Sequence, residues 1–307
     1  MGEKIIYDRH DEEWFKATND PARRRTAETW LKQKKSLDRW RHDRMYQVVK
    51  PLVEYDRTFQ WLTVGDGRYG TDAHALMEFG AVNVVSSDIS DTLLKEGHRV
   101  GFIKQYSAQN AESLTFNDNS FDFVFCKEAY HHFPRPHIAL HEMLRVARIG
   151  VILIEPCDLK IQGKILDRFI PFIKKLVRRD SSDGNHNFEP VGNFIFSIST
   201  RELEKVQLGM HRRHIAYNYI NDYFEEGFEF ISLNSGDPKE IYKIKKTKFV
   251  IGIRNILTWM GLISPSLLVT TMFKNDPDSS LLKHLSDNNW ILKILPKNPY
   301  FKPMEGT

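Results

Sequence analysis

Phe59-Gln-Trp-Leu-Thr-Val-Gly-Asp-Gly-Arg-Tyr-Gly70 is the stretch on which the fold turns. The apolar run Phe59–Val64 reads as a buried strand, and Gly65, Gly67 and Gly70 break it into a tight turn. A helix is expected over Asp72–Phe79, with Gly80 as its stop. Glycine lets the backbone turn sharply and lets a ligand approach closely, and the amides that open a helix suit a carboxylate or phosphate. The next strand, Val82–Asp88, ends on an acid 18 residues beyond Gly70, where a carboxylate can accept both hydroxyls of a ribose.

The pattern continues downstream. A helix is expected at about Asp91–Glu96, a third strand at Phe102–Tyr106 and a fourth at Phe121–Cys126. The fourth is apolar on both faces, as a central strand of a parallel sheet must be. His137–Val146 carries Ile138, Leu140, Met143, Leu144 and Val146 at helical spacing, and Gly150–Glu155 is a fifth strand that Pro156 ends. Strands alternating with helices in this way build βαβ units and a parallel sheet.

Upstream, residues 1–57 read as polar, amphipathic helix, with Trp30, Leu37, Trp40 and Val48 recurring at helical spacing and a start at Asp20-Pro21. The part after residue 157 is less regular. It offers a basic helix at about Lys160–Arg179, a polar turn at Asp180–Asn187, a shaped loop at Glu189–Phe194 and a strand at Phe194–Ile198. A helix from Thr200 follows, with two further strands at Arg213–Tyr219 and Leu267–Phe273. Asn255–Phe273 is uncharged for 19 residues, but Gly261, Pro265 and several Ser/Thr make it a buried helix end, a loop and a strand instead of a membrane span.

A net charge of +4 is too small to demand a nucleic-acid partner. The charge is uneven: residues 23–44 hold nine Lys/Arg against three acids, and residues 160–179 hold seven against one, Asp167. Such faces can attract an anionic substrate, RNA or an acidic membrane, or simply be solvated. Two cysteines, Cys126 and Cys157, make no disulfide framework, and the N-terminus has no apolar signal core; both point to a cytoplasmic protein. No ligand pair has zinc-finger spacing, so no metal is expected.

The glycine turn and its acid serve NAD-dependent and S-adenosylmethionine (SAM)-dependent enzymes alike. Gln109-Asn-Ala-Glu-Ser-Leu-Thr-Phe-Asn-Asp-Asn-Ser-Phe-Asp-Phe-Val-Phe-Cys126 separates them. It resembles the adenine-binding turn and fourth strand of class I SAM-dependent methyltransferases. The resemblance runs on through Glu128–Phe133, Pro136 and Ala139–Val146, and covers about residues 59–158. The chain is similar in particular to the type 11 group, which contains quinone-type and small-molecule methyltransferases. That resemblance implies an α/β, Rossmann-like, doubly wound sheet of seven mostly parallel strands with an antiparallel last strand. It would carry an N-terminal helical extension over 1–57 and a methyltransferase domain over 58–307, with the cofactor half at 58–158. Insertions over about 157–210 and 220–265 would wall the substrate.

The same resemblance assigns SAM as cofactor. Gly65, Asp66, Gly67 and Gly70 would pack on its methionine and ribose, Asp88 would bind the ribose hydroxyls, and Ile89 would lie on adenine. Asn110 and the Ala111 amide would meet the adenine edge, and the backbone at Cys126 and Lys127 would close the site near the sulfonium. Thr63 stands where the family has an acid, so the ammonium end would rely on backbone carbonyls or on Asp66. Arg68-Tyr69 also departs from the family's glycine loop, and Arg148-Ile-Gly150 from its usual lead into strand five.

Methyl transfer needs alignment of donor and acceptor and, for a hydroxyl acceptor, a base. The residues just after strands four and five are placed for this: Glu128, His131 and His132 first, with Tyr130, Glu155 and Asp158 beside them. The expected acceptor is a small molecule, a sugar- or lipid-linked intermediate being one form and an anionic one suiting the basic faces. RNA or protein methylation, a non-catalytic SAM-binding role and an NAD-dependent oxidoreductase are the competing expectations.

Overall fold

In the computed structural model, which describes residues 19–32, 35–167, 188 and 194–300, the strand expected at Phe59–Val64 is β1, Gln60–Val64. It lies at the middle of an eight-stranded sheet of order β3-β2-β1-β4-β5-β7-β6-β8. Its parallel neighbours are β2 (Asn83–Asp88) and β4 (Phe121–Lys127), and β3 (Gln105–Ala108) and β5 (Ala147–Pro156) pair in parallel with these in turn. The later strands are β6 (His214–Ile220), β7 (Leu267–Phe273) and β8 (Ile291–Ile294). β7 inserts between β5 and β6, antiparallel to both, so Leu267–Phe273 is a sheet strand, whereas the helix end expected to be buried ahead of it exposes Ile256, Trp259 and Met260.

Three expectations change. The sheet has eight strands among the described residues, because β8 adds to the outer edge of β6; at four residues it was too short for a periodicity signal. The third strand is displaced from Phe102–Tyr106 to Gln105–Ala108, since Phe102 instead stacks on His74 with ring centroids 3.7 Å apart. Phe194–Ile198 is no strand: it makes isolated bridges, Phe194 to Phe188 and Ile198 to Cys157. The expected basic helix is described only as far as Asp167, where α6 (Leu159–Gln162) is a single turn. Its remainder, the turn at Asp180–Asn187 and most of the loop before Phe194 lie outside the described residues.

Helices cover both faces. α2 (Leu37–Tyr55), α3 (Thr71–Glu78), α4 (Thr92–Arg99) and α9 (Ser279–Asp287) lie on one. α5 (Pro136–Val146) and α7 (Thr200–Gly209) lie on the other. The central strands divide their side chains accordingly: Phe123 and Phe125 of β4 join the first core, Val124 and Cys126 the second. Burial on both sides is why that strand is apolar throughout. The helical extension shares this core, since Met45, Val49 and Leu52 pack with Trp61 and Phe123. Ahead of α2, α1 (Pro21–Lys32) begins where expected, with Asp20 Oδ1 accepting the Arg23 amide at 2.9 Å. The longest described helix, α8 (Pro238–Trp259), shares a small core with α2 through Ile244 and Leu37.

The turn after β1 depends on glycine for a packing reason. Gly65 has φ +77°, and a Cβ there would sit 2.4 Å from the Ala129 Cβ, so only glycine lets the turn close against the end of β4.

Candidate active site

The carboxyl ends of β1 to β4 open onto one cavity of about 810 Å³. Strand order reverses between β1 and β4, which leaves a crevice at that edge of a parallel sheet. Gly65, Asp66 and Gly67 line it from the turn, Asp88 and Ile89 follow β2, Asn110 and Ala111 follow β3, and Lys127 follows β4. Glu128, His131 and His132 line it as well. Gly70 and Cys126 are not among its lining residues. Gly70 precedes α3 with φ +77° and packs on Ile103, and the Cys126 thiol is fully buried, its pKa pushed well up by that burial.

Asp66 is committed to the fold. Its carboxyl accepts the Thr63 and Ser86 hydroxyls at 2.8 and 2.9 Å and the Asp72 and Ala73 amides at 2.9 and 3.0 Å. Thr63, which replaces the family's acid, is thus one of four donors to an acid three residues later. The α3 amides, expected to face a ligand anion, are filled by the protein's own carboxyl. A dinucleotide would need those donors for its pyrophosphate. With Asp66 occupying them, the turn has no free pair of helix-start amides to offer a pyrophosphate.

Asp88 is held by amides of Gly67, Ile89 and Ser90, the last at 3.0 Å from Oδ1. Burial outweighs these bonds and pushes its carboxyl up to about 6. Asn110 Oδ1 accepts the Glu112 amide at 2.9 Å, which fixes its side chain at the cavity wall. Near β4, the Lys127 ammonium lies 3.0 Å from His42 Nδ1 and 3.5 Å from both Asp72 Oδ1 and Glu128 Oε2. Burial, and next the Lys127 charge, hold the His42 pKa well below its ordinary value. His42 is therefore a neutral imidazole that accepts from the lysine.

The residues after β4 form a braced turn. Glu155, fully buried near the end of β5, accepts the Ala129 and Tyr130 amides at 3.0 and 2.9 Å on Oε1. Its Oε2 is 2.5 Å from His131 Nδ1. A carboxylate on Nδ1 sets the tautomer and leaves Nε2 as the basic nitrogen. His132 stacks on His131 with centroids 3.9 Å apart. Asp158, the other acid after strand five, instead caps α6 through the Lys160 and Ile161 amides.

Half of the cavity wall was not foreseen from sequence. Trp30, Asp38, Arg41 and His42 come from the N-terminal helices, and Asp222 and Phe224 from the segment after β6. Arg41 joins the two groups. It donates to Asp38 Oδ1 at 2.6 Å, makes a two-pronged pair with Asp222, and lies 4.8 Å over the Phe224 ring. These partners are 181 residues apart, and nothing local in the chain announces the pair.

Residues 62–154 match the family model of the methyltransferase domain. This segment is a SAM-dependent methyltransferase domain. The match begins in β1 and ends in β5, so it spans the glycine turn, Asp88, Asn110 and the braced turn. SAM is accordingly the cofactor of the domain. Several solved structures share parts of its chain path. A methyltransferase from Bacillus halodurans C-125 is 17% identical over 74% of this chain and 98% of its own, with a TM-score of 0.43. A SAM-dependent methyltransferase from Thermotoga maritima is 17% identical over 78% of this chain and 94% of its own, also at 0.43. The YcgJ protein of Bacillus subtilis is 16% identical over 84% and 99%, at 0.44. No curated protein matches the chain. At these identities nothing about an acceptor carries over to the methyltransferase domain.

Proposed function

We propose that the domain methylates a hydroxyl of a small-molecule acceptor and that His131, oriented by Glu155, takes the hydroxyl proton. The observation that carries this is the 2.5 Å contact between His131 Nδ1 and a fully buried carboxyl, on a residue that lines the cavity. Bound SAM supplies an activated methyl group on a sulfonium, so the protein's tasks are alignment and proton removal. Asp88 accepts the ribose hydroxyls, Ile89 and Ala111 flank the adenine, and Asn110 meets its edge. Gly65 and Gly67 allow the methionine part to lie against the turn. Asp66 keeps the turn in shape without touching the ammonium group, which then relies on backbone carbonyls and on Asp72. His131 Nε2 would take the acceptor hydroxyl's proton and pass it to water, while the methyl carbon would exchange its bond to the sulfonium sulfur, which leaves as a neutral thioether, for one to the acceptor oxygen.

In this reading residues 58–158 hold the cofactor, while the helices before residue 57 and the segment after β6 wall the acceptor. A volume of about 810 Å³ falls within the range of roughly 300–1,000 Å³ typical of small-ligand sites, and it must take both molecules. That limits the reacting part of the acceptor to something small. The 194–198 segment completes the wall, with the Phe196 amide donating to the His131 carbonyl at 3.1 Å.

Methylation of RNA or protein has less support, because the basic stretch 23–44 is partly spent inside the fold. Arg39 pairs with Glu78 and Asp43 and Arg41 with Asp38 and Asp222, both arginines being largely buried. The test is methyl-labelled SAM with small-molecule, RNA and protein fractions of a cell extract. Label in a small molecule, lost in His131→Ala, supports the proposal; label confined to RNA or protein overturns it.

A further inference from the structure

We propose that the outer face of α8, together with the segment at 159–165, docks on an anionic membrane surface. This interaction does not rest on the nature of the acceptor. Helix α8 is 22 residues long, and few of its side chains are buried. Ile244, Thr247 and Ile251 face the protein. On the opposite side Tyr242, Phe249, Ile253, Ile256 and Met260 are exposed at spacings of seven, four, three and four, one continuous stripe on a helix. Phe249 is 68% exposed, and Trp259, beside the end of the stripe, is 87% exposed. A large contiguous apolar surface of this kind on a folded protein marks an interaction site.

The charges say which partner it fits. The helix carries Lys239, Lys243, Lys245, Lys246, Lys248 and Arg254 against one acid, Glu240. By helical angle Lys245 and Lys246 flank the stripe on opposite sides near its middle, Lys246 also pairing with Glu225. Bulky apolar groups along the centre with cations on the flanks are what an interfacial helix presents to acyl chains and anionic headgroups. A second copy meeting this face would set one cationic helix against another. Nucleic acid would leave the isoleucines and Phe249 without an apolar partner. Among the described residues no helix is long and apolar enough to cross a membrane, so the helix would lie on the surface.

The neighbouring surface extends the same face. Ile161 and Ile165 are 63% and 70% exposed, and their segment is tied to the loop after α8. The Leu166 amide donates to the Leu262 carbonyl, and Ser264 Oγ donates to the Gln162 carbonyl at 2.7 Å. This end of α8 adjoins the cavity. Asn221 bonds Asn255 and Thr258 of α8 at 3.1 and 3.0 Å, and the next residue, Asp222, lines the cavity and holds Arg41.

The experiment is co-sedimentation of the full chain with vesicles of phosphatidylcholine alone and of phosphatidylcholine mixed with phosphatidylglycerol, at low and high salt. The chain is expected to pellet with the anionic vesicles at low salt and to be released by high salt. The double substitution Phe249→Asp and Ile256→Asp should cut binding about tenfold or more, since each removes a buried apolar contact and adds like charge. SAM binding by that variant should stay within threefold of the parent, on the order of unperturbed folding. A chain that stays in the supernatant with anionic vesicles at low salt overturns the proposal. So does a double variant that pellets as well as the parent, or a parent that is a dimer without vesicles and becomes monomeric in the variant.

Discussion

Glu155 Oε2 stands 2.5 Å from His131 Nδ1, joining the carboxyl end of β5 to the turn that follows β4. The carboxyl is fully buried and its other oxygen holds two backbone amides. The same group therefore shapes the turn and orients the ring. His131→Ala is expected to lower kcat by about 10²–10⁴, the usual worth of a positioned base, with SAM affinity nearly unchanged. Glu155→Gln, whose carbonyl oxygen can keep both amides, should lower kcat less and move the acid limb of the pH–rate profile. Equal loss of SAM binding in both variants would show a structural role only.

Asp88 makes cofactor binding depend on pH. Burial raises its carboxyl from the ordinary range to about 6. Below that value the ligand-free protein holds a proton there, and ribose hydroxyls that donate to a carboxylate must displace it. Affinity for SAM should be level above pH 7 and fall by up to about tenfold per pH unit below about 6. Because the folded pKa lies above the unfolded one, the same group makes the ligand-free fold less stable as pH rises through this window. Titration calorimetry of parent and Asp88→Asn checks the first statement: the variant should bind weakly at all pH values, without the slope.

Asp66 is expected to matter for stability more than for cofactor charge. In Asp66→Ala two helix-start amides and two buried hydroxyls lose their acceptor. The expected loss is about 2–4 kcal/mol, at the upper end for removal of a buried acceptor. Urea unfolding measures it. A loss within experimental error would mean that the turn holds its shape without this carboxyl.

Arg41 ties the N-terminal helices to the segment after β6. Arg41→Met leaves Asp38 buried, and Asp222 nearly so, with no cation. The expected cost is about 3–5 kcal/mol near neutral pH. Burial already raises the Asp38 carboxyl, and without the arginine it would rise further. A raised carboxyl is tolerated better when protonated, so the cost should shrink as pH falls. Thermal unfolding of both proteins across pH reads this out. A cost independent of pH would sink the assignment of Arg41 as the counter-ion.

How much of the site was legible in the chain follows from which groups are local. Asp88, Asn110 and Lys127 each follow a strand directly, so once strand order is known their meeting at one edge follows from the topology. Glu155 was visible as an acid after a strand, but its grip on His131 was not, because register across β4 and β5 decides it. Asp66 looked like a cofactor ligand because it stands between Gly65 and Gly67 in the glycine turn. Only the positions of Thr63 and Ser86 show that the carboxyl points into the fold. The basic stretch 23–44 looked like a surface for polyanions, and long-range ion pairs turned part of it inward.

By itself the sequence determined the α/β architecture and the glycine turn with an acid at the end of the next strand, and its resemblance over about residues 59–158 pointed to the class of cofactor. The first two are set by local periodicity and by residues within one βαβ unit, where chain order and spatial order coincide. Tertiary structure decided the rest: the eighth strand, the inward role of Asp66, the bracing of His131, and the wall built by Arg41 with Asp222. Each of these depends on groups that are close in space and far apart along the chain, and no spacing rule carries that information.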